Sequence, residues 1–125
     1  MKTKGEIEAE ISQALVQFEI DYMGRGPKES RTHLIEDMVL VRLKGVLTPA
    51  EEQLIKSPDG GELVKKMRST LIEKAKPLLY RVVSDITGAK IIDLHTDIST
   101  VSGERVFVFM LERNLGKDLQ RKISP

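Results

Sequence analysis

Residues 62–87 contain no glycine, and their apolar side chains recur at helical spacing. Leu63, Met67, Leu71, Ala75, Leu78, Val82 and Ile86 form one stripe, and Val64, Leu79 and Val83 widen it. At ~1.5 Å per residue such a helix is roughly 39 Å long, somewhat more than the width of a small domain. Whatever else the chain forms has to be laid against this one rod. Pro77 lies inside it, removes an amide donor and crowds the preceding turn, so a kink is expected near residues 74–77. Thr87-Gly88 ends it.

The segments on either side alternate between the two periodicities. Ile7, Ile11, Leu15, Phe18 and Tyr22 make a helical stripe, which predicts a helix over 5–22 with Glu6 and Glu8 at its positive end. Gly24 is a natural left-handed cap, and Pro27 keeps the helix from resuming. Residues 31–35 and 38–44 read as strands joined at Glu36-Asp37, the second (Met38 to Lys44) buried on both faces. Thr48, Pro49 and Glu51 form a capping box with proline at the first helical position, opening a short helix to about Lys56 that buries Leu54 and Ile55. Ser57-Pro58-Asp59-Gly60-Gly61 reads as a turn. Beyond the rod, residues 90–98 read as a strand with Ile92, Leu94 and Ile98 inward and Ile91, Asp93, His95 and Asp97 outward. A polar loop over 99–104 leads to Val106-Phe107-Val108-Phe109-Met110-Leu111, an apolar run expected at the centre of a sheet. Residues 113–125 are polar apart from Leu115, Leu119 and Ile123 and read as a frayed helical turn or a loose tail and not as a core element.

This order, α-β-β-α-α-β-β, with strands in hairpin pairs, predicts an α+β fold of two layers. A roughly four-stranded, mainly antiparallel sheet packs against the N-terminal helix and the long kinked one. The expectation is a single domain over 1–125, with its core at about 5–112. With 20 basic and 19 acidic residues the net charge is +1, which argues against an obligate nucleic-acid binder. The absence of cysteine excludes disulfides, thiolate catalysis and cysteine-held metal or iron–sulfur groups. No apolar run reaches the ~18 residues of a membrane span, and the start of the chain has no apolar leader-like stretch. A cytoplasmic protein without a transmembrane segment or cofactor is expected.

Four places could carry chemistry. Gly24, Arg25, Gly26, Lys28 and Arg31, with Asp37 folding back beside them, could bind a phosphate or carboxylate, making the chain an anion- or nucleotide-binding module. The plainer reading is a capped helix end and a solvated basic turn, since a helix C-terminus disfavours anions. Asp93, His95 and Asp97 share a strand face and are candidate metal ligands; the plainer reading is a solvent-facing polar stripe, since same-face residues on one strand splay in a line and no fourth ligand is identifiable. His33 with Asp37 could act as a base and its orienter, yet no nucleophile motif lies nearby. The charged face assigned to the long helix, with Lys65, Lys66, Arg68, Lys74, Lys76 and Arg81, could meet RNA or an anionic surface. Three of the five aromatic residues, Phe18, Phe107 and Phe109, sit at core positions, which leaves little for base stacking. A further reading needs no ligand. The apolar width of the long helix exceeds what a small sheet covers, which points to association, most simply as a homodimer.

Taken together, Gly24-Arg25-Gly26-Pro27, Asp37-Met38-Val39-Leu40-Val41-Arg42-Leu43 and Gly45-Val46-Leu47-Thr48-Pro49-Ala50-Glu51 resemble the MpsC-like family of small bacterial proteins. That family was formerly a domain of unknown function, labelled Na-translocating membrane potential protein. Arg68, Thr87-Gly88 and Asp97-Ile98 also match, and the resemblance covers roughly residues 5–112. It implies an accessory part of a cation-translocating, membrane-potential-generating system. It brings no catalytic residues with it. The matching polar positions Arg25, Arg31, Asp37, Thr48 and Glu51 are the candidates it offers, and helix capping already accounts for Thr48 and Glu51.

Overall fold

The computed structural model of the chain describes residues 2–123, residues 121–123 by their backbone alone. Its elements are α1 (Lys4–Met23), β1 (Glu29–Ile35), β2 (Met38–Lys44), α2 (Pro49–Leu54), α3 (Pro58–Thr87), β3 (Ile91–Ile98), β4 (Arg105–Leu111) and α4 (Leu115–Ile123). The first seven follow the expected order. The four strands form one antiparallel sheet in the order β1-β2-β4-β3. The two hairpins therefore meet along β2 and β4, and the apolar run of β4 is central, as its composition requires. Helices α1 and α3 cover one face: α1 lies on β1 and β2, and α3 on β3.

Capping chemistry sets the helix ends. Thr3 caps α1 and Glu6 reaches back to the Thr3 amide, a capping box written in the sequence as Thr-Lys-Gly-Glu. The same box forms at Thr48 and Glu51, with Pro49 in the first turn of α2. Gly24 and Gly88 close α1 and α3 at φ of 86° and 70°, where a side chain would be strained. The strand turn falls at Glu36-Asp37, with Glu36 taking φ of 57°.

Several expectations shift. The Ser57–Gly61 turn is instead the start of α3, with Ser57 as N-cap and Pro58 in the first turn. Leu54 stays exposed, because α2 ends there, and Ile55 is half-buried. The helix α3 runs through Pro77 as the expected single rod does, with Pro77 on its exposed side. Its core stripe is Val64, Arg68, Ile72, Ala75, Leu79 and Val83, one residue on from the expected one for most of its length, and Leu63 and Met67 are 56% and 40% exposed. Near Ile91 and Asp93 the β3–β4 register slips, and this irregularity turns Ile91 inward and Ile92 outward, the reverse of strict alternation. Strands β2 and β4 bury one face only, their other face being half-exposed. The polar tail forms α4, because Leu115 and Leu119 reach the core, with the Gly116 amide bonded to the Glu36 carbonyl. Tyr22 is exposed and stacks obliquely on Phe18, 4.4 Å between ring centroids.

The adjacent glycines at the head of α3 make a test of this packing. A Cβ on Gly60 would run into the Leu54 backbone carbonyl, whereas one on Gly61 would have only Thr100 Oγ1 nearby, at 3.8 Å. Gly60→Ala is expected to destabilise the fold by about 1–3 kcal/mol, as overpacking does. Gly61→Ala should stabilise it by about 0.5–1 kcal/mol, by favouring helix and restricting the unfolded chain. Urea unfolding of the two variants checks the contrast.

Candidate functional site

The residues singled out in the sequence do not converge. Gly24 caps α1, and Arg25, Gly26 and Pro27 lie half-buried in the link to β1. Lys28 joins the foot of the sheet, its amide donating to the Lys44 carbonyl, and its side chain lies over Gly45. Arg31 is exposed on β1, its Nε donating to Glu29 at 2.7 Å. Asp37 sits in the turn beyond Ile35, and Arg31 lies four residues back from that end of the strand, about 14 Å at ~3.4 Å per residue; the Asp37 carbonyl accepts from the Leu111 amide. Arg31 and Asp37 are therefore not drawn together, and Arg31 pairs with Glu29 instead. His33 is exposed and faces away from the helices. Asp93, His95 and Asp97 line one face of β3, and His95 Nε2 approaches Asp93 at 3.3 Å. Each aspartate accepts the amide of its following residue, Leu94 or Ile98, and Asp97 lies 3.8 Å from Lys65. Among the described residues, no group of three or more His, Asp or Glu side chains is arranged to hold a metal ion.

The concentrated electrostatics lie elsewhere, inside the core. Arg68 was assigned to the charged face of the long helix; it is 2% exposed instead. The reason is its phase: it follows Val64 by one turn and precedes Ile72 by one turn on the buried stripe. Its guanidinium forks onto Glu51, with Nε to Oε2 at 2.8 Å and Nη2 to Oε1 at 2.7 Å. Nη1 donates to Glu19 at 3.1 Å and Nη2 also donates to the Val46 carbonyl at 2.9 Å. Glu19 is buried because it sits beside Phe18 on the inner side of α1. Arg105 completes the group: it opens β4 in phase with Phe107 and Phe109, is buried, and lies over the Phe107 ring at 5.2 Å.

Burial disfavours a charge, and the groups facing it decide how far that is offset. For Glu51, burial raises the pKa, but the Arg68 and Thr48 hydrogen bonds outweigh it and hold the carboxyl below its ordinary value of 4.5. For Arg68, burial acts against the charge, yet Glu51 and Glu19 raise its pKa. Arg105 is the exception. Burial pushes it down to about 10; the attraction of Glu19 opposes that, and the repulsion of Arg68 adds to it. Its Nε finds no hydrogen-bond partner among the described residues. A cavity of ≈ 10 Å³ lies between Glu19, Arg68 and Arg105 with Phe18, Leu71 and Ile72 around it, about the size of one water molecule. The group balances two arginines against two glutamates, and its geometry suits holding elements together, since the charges face one another and not an open cleft.

A different feature is open to the outside. A groove of ≈ 250 Å³ runs between α1 and α3, lined by Ala14, Leu15, Phe18, Tyr22, Leu78, Leu79 and Val82, with Gln17 and Asp21 at its polar edge. Its lining is mainly apolar, which suits an apolar side chain of another molecule more than a charged substrate. The phase of α3 produced it: the stripe assigned from the sequence lies beside the core stripe and is left half-covered.

Two variants test the buried group. Arg68→Met leaves two buried carboxylates without their cation and is expected to cost about 3–5 kcal/mol in urea unfolding. Because the Glu51 pKa is lowered in the folded chain, its contribution is present above about pH 4.5 and is lost as pH falls through the folded value. Glu51→Gln should therefore flatten the acid limb of the stability–pH curve, measured by denaturant melts between about pH 3 and 7.

A family model described as a Na+-translocating membrane potential-generating system (MpsC) matches residues 3–113. The chain is 44% identical over 120 residues to Uncharacterized protein YbcI of Bacillus subtilis (strain 168), covering 96% of this chain and 97% of that one. It is 27% identical over 110 residues to Uncharacterized protein YrhF of the same organism, covering 85% and 88% of the two chains. No solved structure matches. The motifs around Gly24, Asp37 and Thr48 thus lie within a pattern that spans the core of the fold, and the chain belongs to the MpsC family.

Proposed function

We propose that this chain is a non-enzymatic accessory protein of a membrane-potential-generating system, working by self-association or by docking on a protein partner. The family description supplies the system. Among the described residues no helix is long and apolar enough to cross a membrane, so the proposed role lies beside the translocating machinery, not within a helical pore. The observation that carries the reading is the second apolar stripe of α3. Leu63 and Met67 stand exposed, Leu71, Leu78 and Val82 are half-buried, and Tyr22 of α1 stands exposed across the groove. Apolar surface gathered on one face marks a protein contact. The buried charges are turned toward one another, which supports a binding role over a catalytic one.

Light scattering after size exclusion, from about 1 to 100 µM, tests this reading. A mass above one chain is expected. Met67→Glu or Leu78→Glu should reduce any association that uses the helical layer. A monomer throughout that range would overturn the self-association half of the reading, and a monomer indifferent to Met67→Glu in binding to membranes carrying the whole system would overturn the rest.

A further inference from the structure

The sheet face opposite the helices has an apolar centre and oppositely charged edges, and its register allows the two edges to be compared. One cross-strand row runs Arg31, Arg42, Val106, Asp97 from β1 to β3. The next has Leu40 and Val108 at its centre, between His33 and His95, and the third has Met38 and Met110. The five apolar side chains of the two central strands are all half-exposed. On the β1–β2 side Arg31, Arg42 and Lys44 outnumber Glu29, so that side is net basic, and the β3 side carries Asp93 and Asp97.

We propose that a second copy of this chain packs on this face about a two-fold axis parallel to the strands. The inference rests on the self-association half of the reading above but assigns it to this face of the sheet, which leaves the α3 stripe to a protein partner. Two identical sheets can meet face to face about only two in-plane axes aligned with their strands. An axis perpendicular to the strands lays each strand on its own copy and puts Asp97 over Asp93, acid upon acid, and Arg31 over Ile35. An axis along the strands reverses the strand order, so that β1 lies over β3 and β2 over β4. Each row then meets its own reverse: Arg31 over Asp97, and Leu40 over Val108. Sheets stack about 10 Å apart, within reach of an arginine and an aspartate pointing toward each other.

The present partners of these charges do not prevent this. Arg31 pairs with Glu29, and Asp97 lies near Lys65, but the Arg31 and Asp97 side chains are 62% and 77% exposed. Exposed pairs of this kind hold weakly and exchange partners readily. Two-fold symmetry makes the new pair form twice, once at each edge, with the apolar centre excluded from water between them. Like charges brought together oppose association, so the same arrangement fixes which of the two stackings forms.

The test is charge reversal with rescue, read as the dimer dissociation constant by sedimentation. Arg31→Asp and Asp97→Arg are each expected to weaken the dimer by about tenfold or more, and the double variant R31D/D97R to return it to within about threefold of the parent. Leu40→Glu, at the centre of the face, should abolish it, with circular dichroism confirming that each variant is folded. A parent dimer that is unmoved by all of these but broken by Met67→Glu would overturn this inference and leave the association reading standing. Single reversals that weaken the dimer without rescue in the double variant would overturn the axis. A parent chain that is monomeric throughout would overturn both this inference and the self-association half of that reading.

Discussion

Arg68 is the interaction on which the rest of the structure depends. An unpaired guanidinium at 2% exposure would be too costly to keep in this core. It is kept because the chain brings it four acceptor positions from three different segments: both oxygens of Glu51, one of Glu19, and the Val46 carbonyl. The net gain over a well-packed apolar core of the same shape is small, because each charge gave up its hydration. What the arrangement secures is uniqueness. A hydrophobic core tolerates sliding of α3 by a fraction of a turn, whereas a bidentate fork does not. The rod that dominates the sequence is thereby set at one depth and one rotation against α1 and the β2–α2 loop.

The same residue explains where the sequence misleads. Two apolar stripes run along α3, one residue apart for most of their length, and the one through Leu63, Met67 and Leu71 contains no charged residue. The one through Val64 and Ile72 is interrupted by Arg68, so counting apolar residues favours the wrong face. The correct phase becomes readable only once Arg68 is matched with its acids, and those lie far off in sequence. Glu19 and Arg105 carry the same signature: each is a charged residue in phase with buried neighbours, Leu15 on α1 and Phe107 on β4. Three charges interrupting three core stripes form a pattern that one sequence can display. Only the fold shows that they meet.

Other elements were legible because their causes are local. The Thr48-Pro49-Glu51 cap, the Gly24 and Gly88 stops and the hairpin at Glu36-Asp37 each rest on residues within one turn of one another. The order β1-β2-β4-β3 was not legible, since nothing local decides which edge of one hairpin faces the other. The exchange of Ile91 and Ile92 needed the register shift against β4 to be seen, and α4 needed its two leucines to find the core from an otherwise polar segment. The residues around Gly24 and Arg31 matched a family pattern, and the fold gives Gly24 a conformational reason to be there.

Glu51 has two duties that are usually separate. Its Oε1 accepts the Thr48 amide as part of the α2 cap and, with Oε2, receives the fork of Arg68. A helix of six residues is far below the length at which helices persist alone in water. Left to itself α2 would fray and re-form continually. Tied through one carboxylate to the deepest cation of the core, it cannot open without exposing that cation. Its amide protons are therefore expected to exchange with solvent on the timescale of whole-domain opening, so that this short segment behaves kinetically as part of the core and not as part of the surface on which it lies.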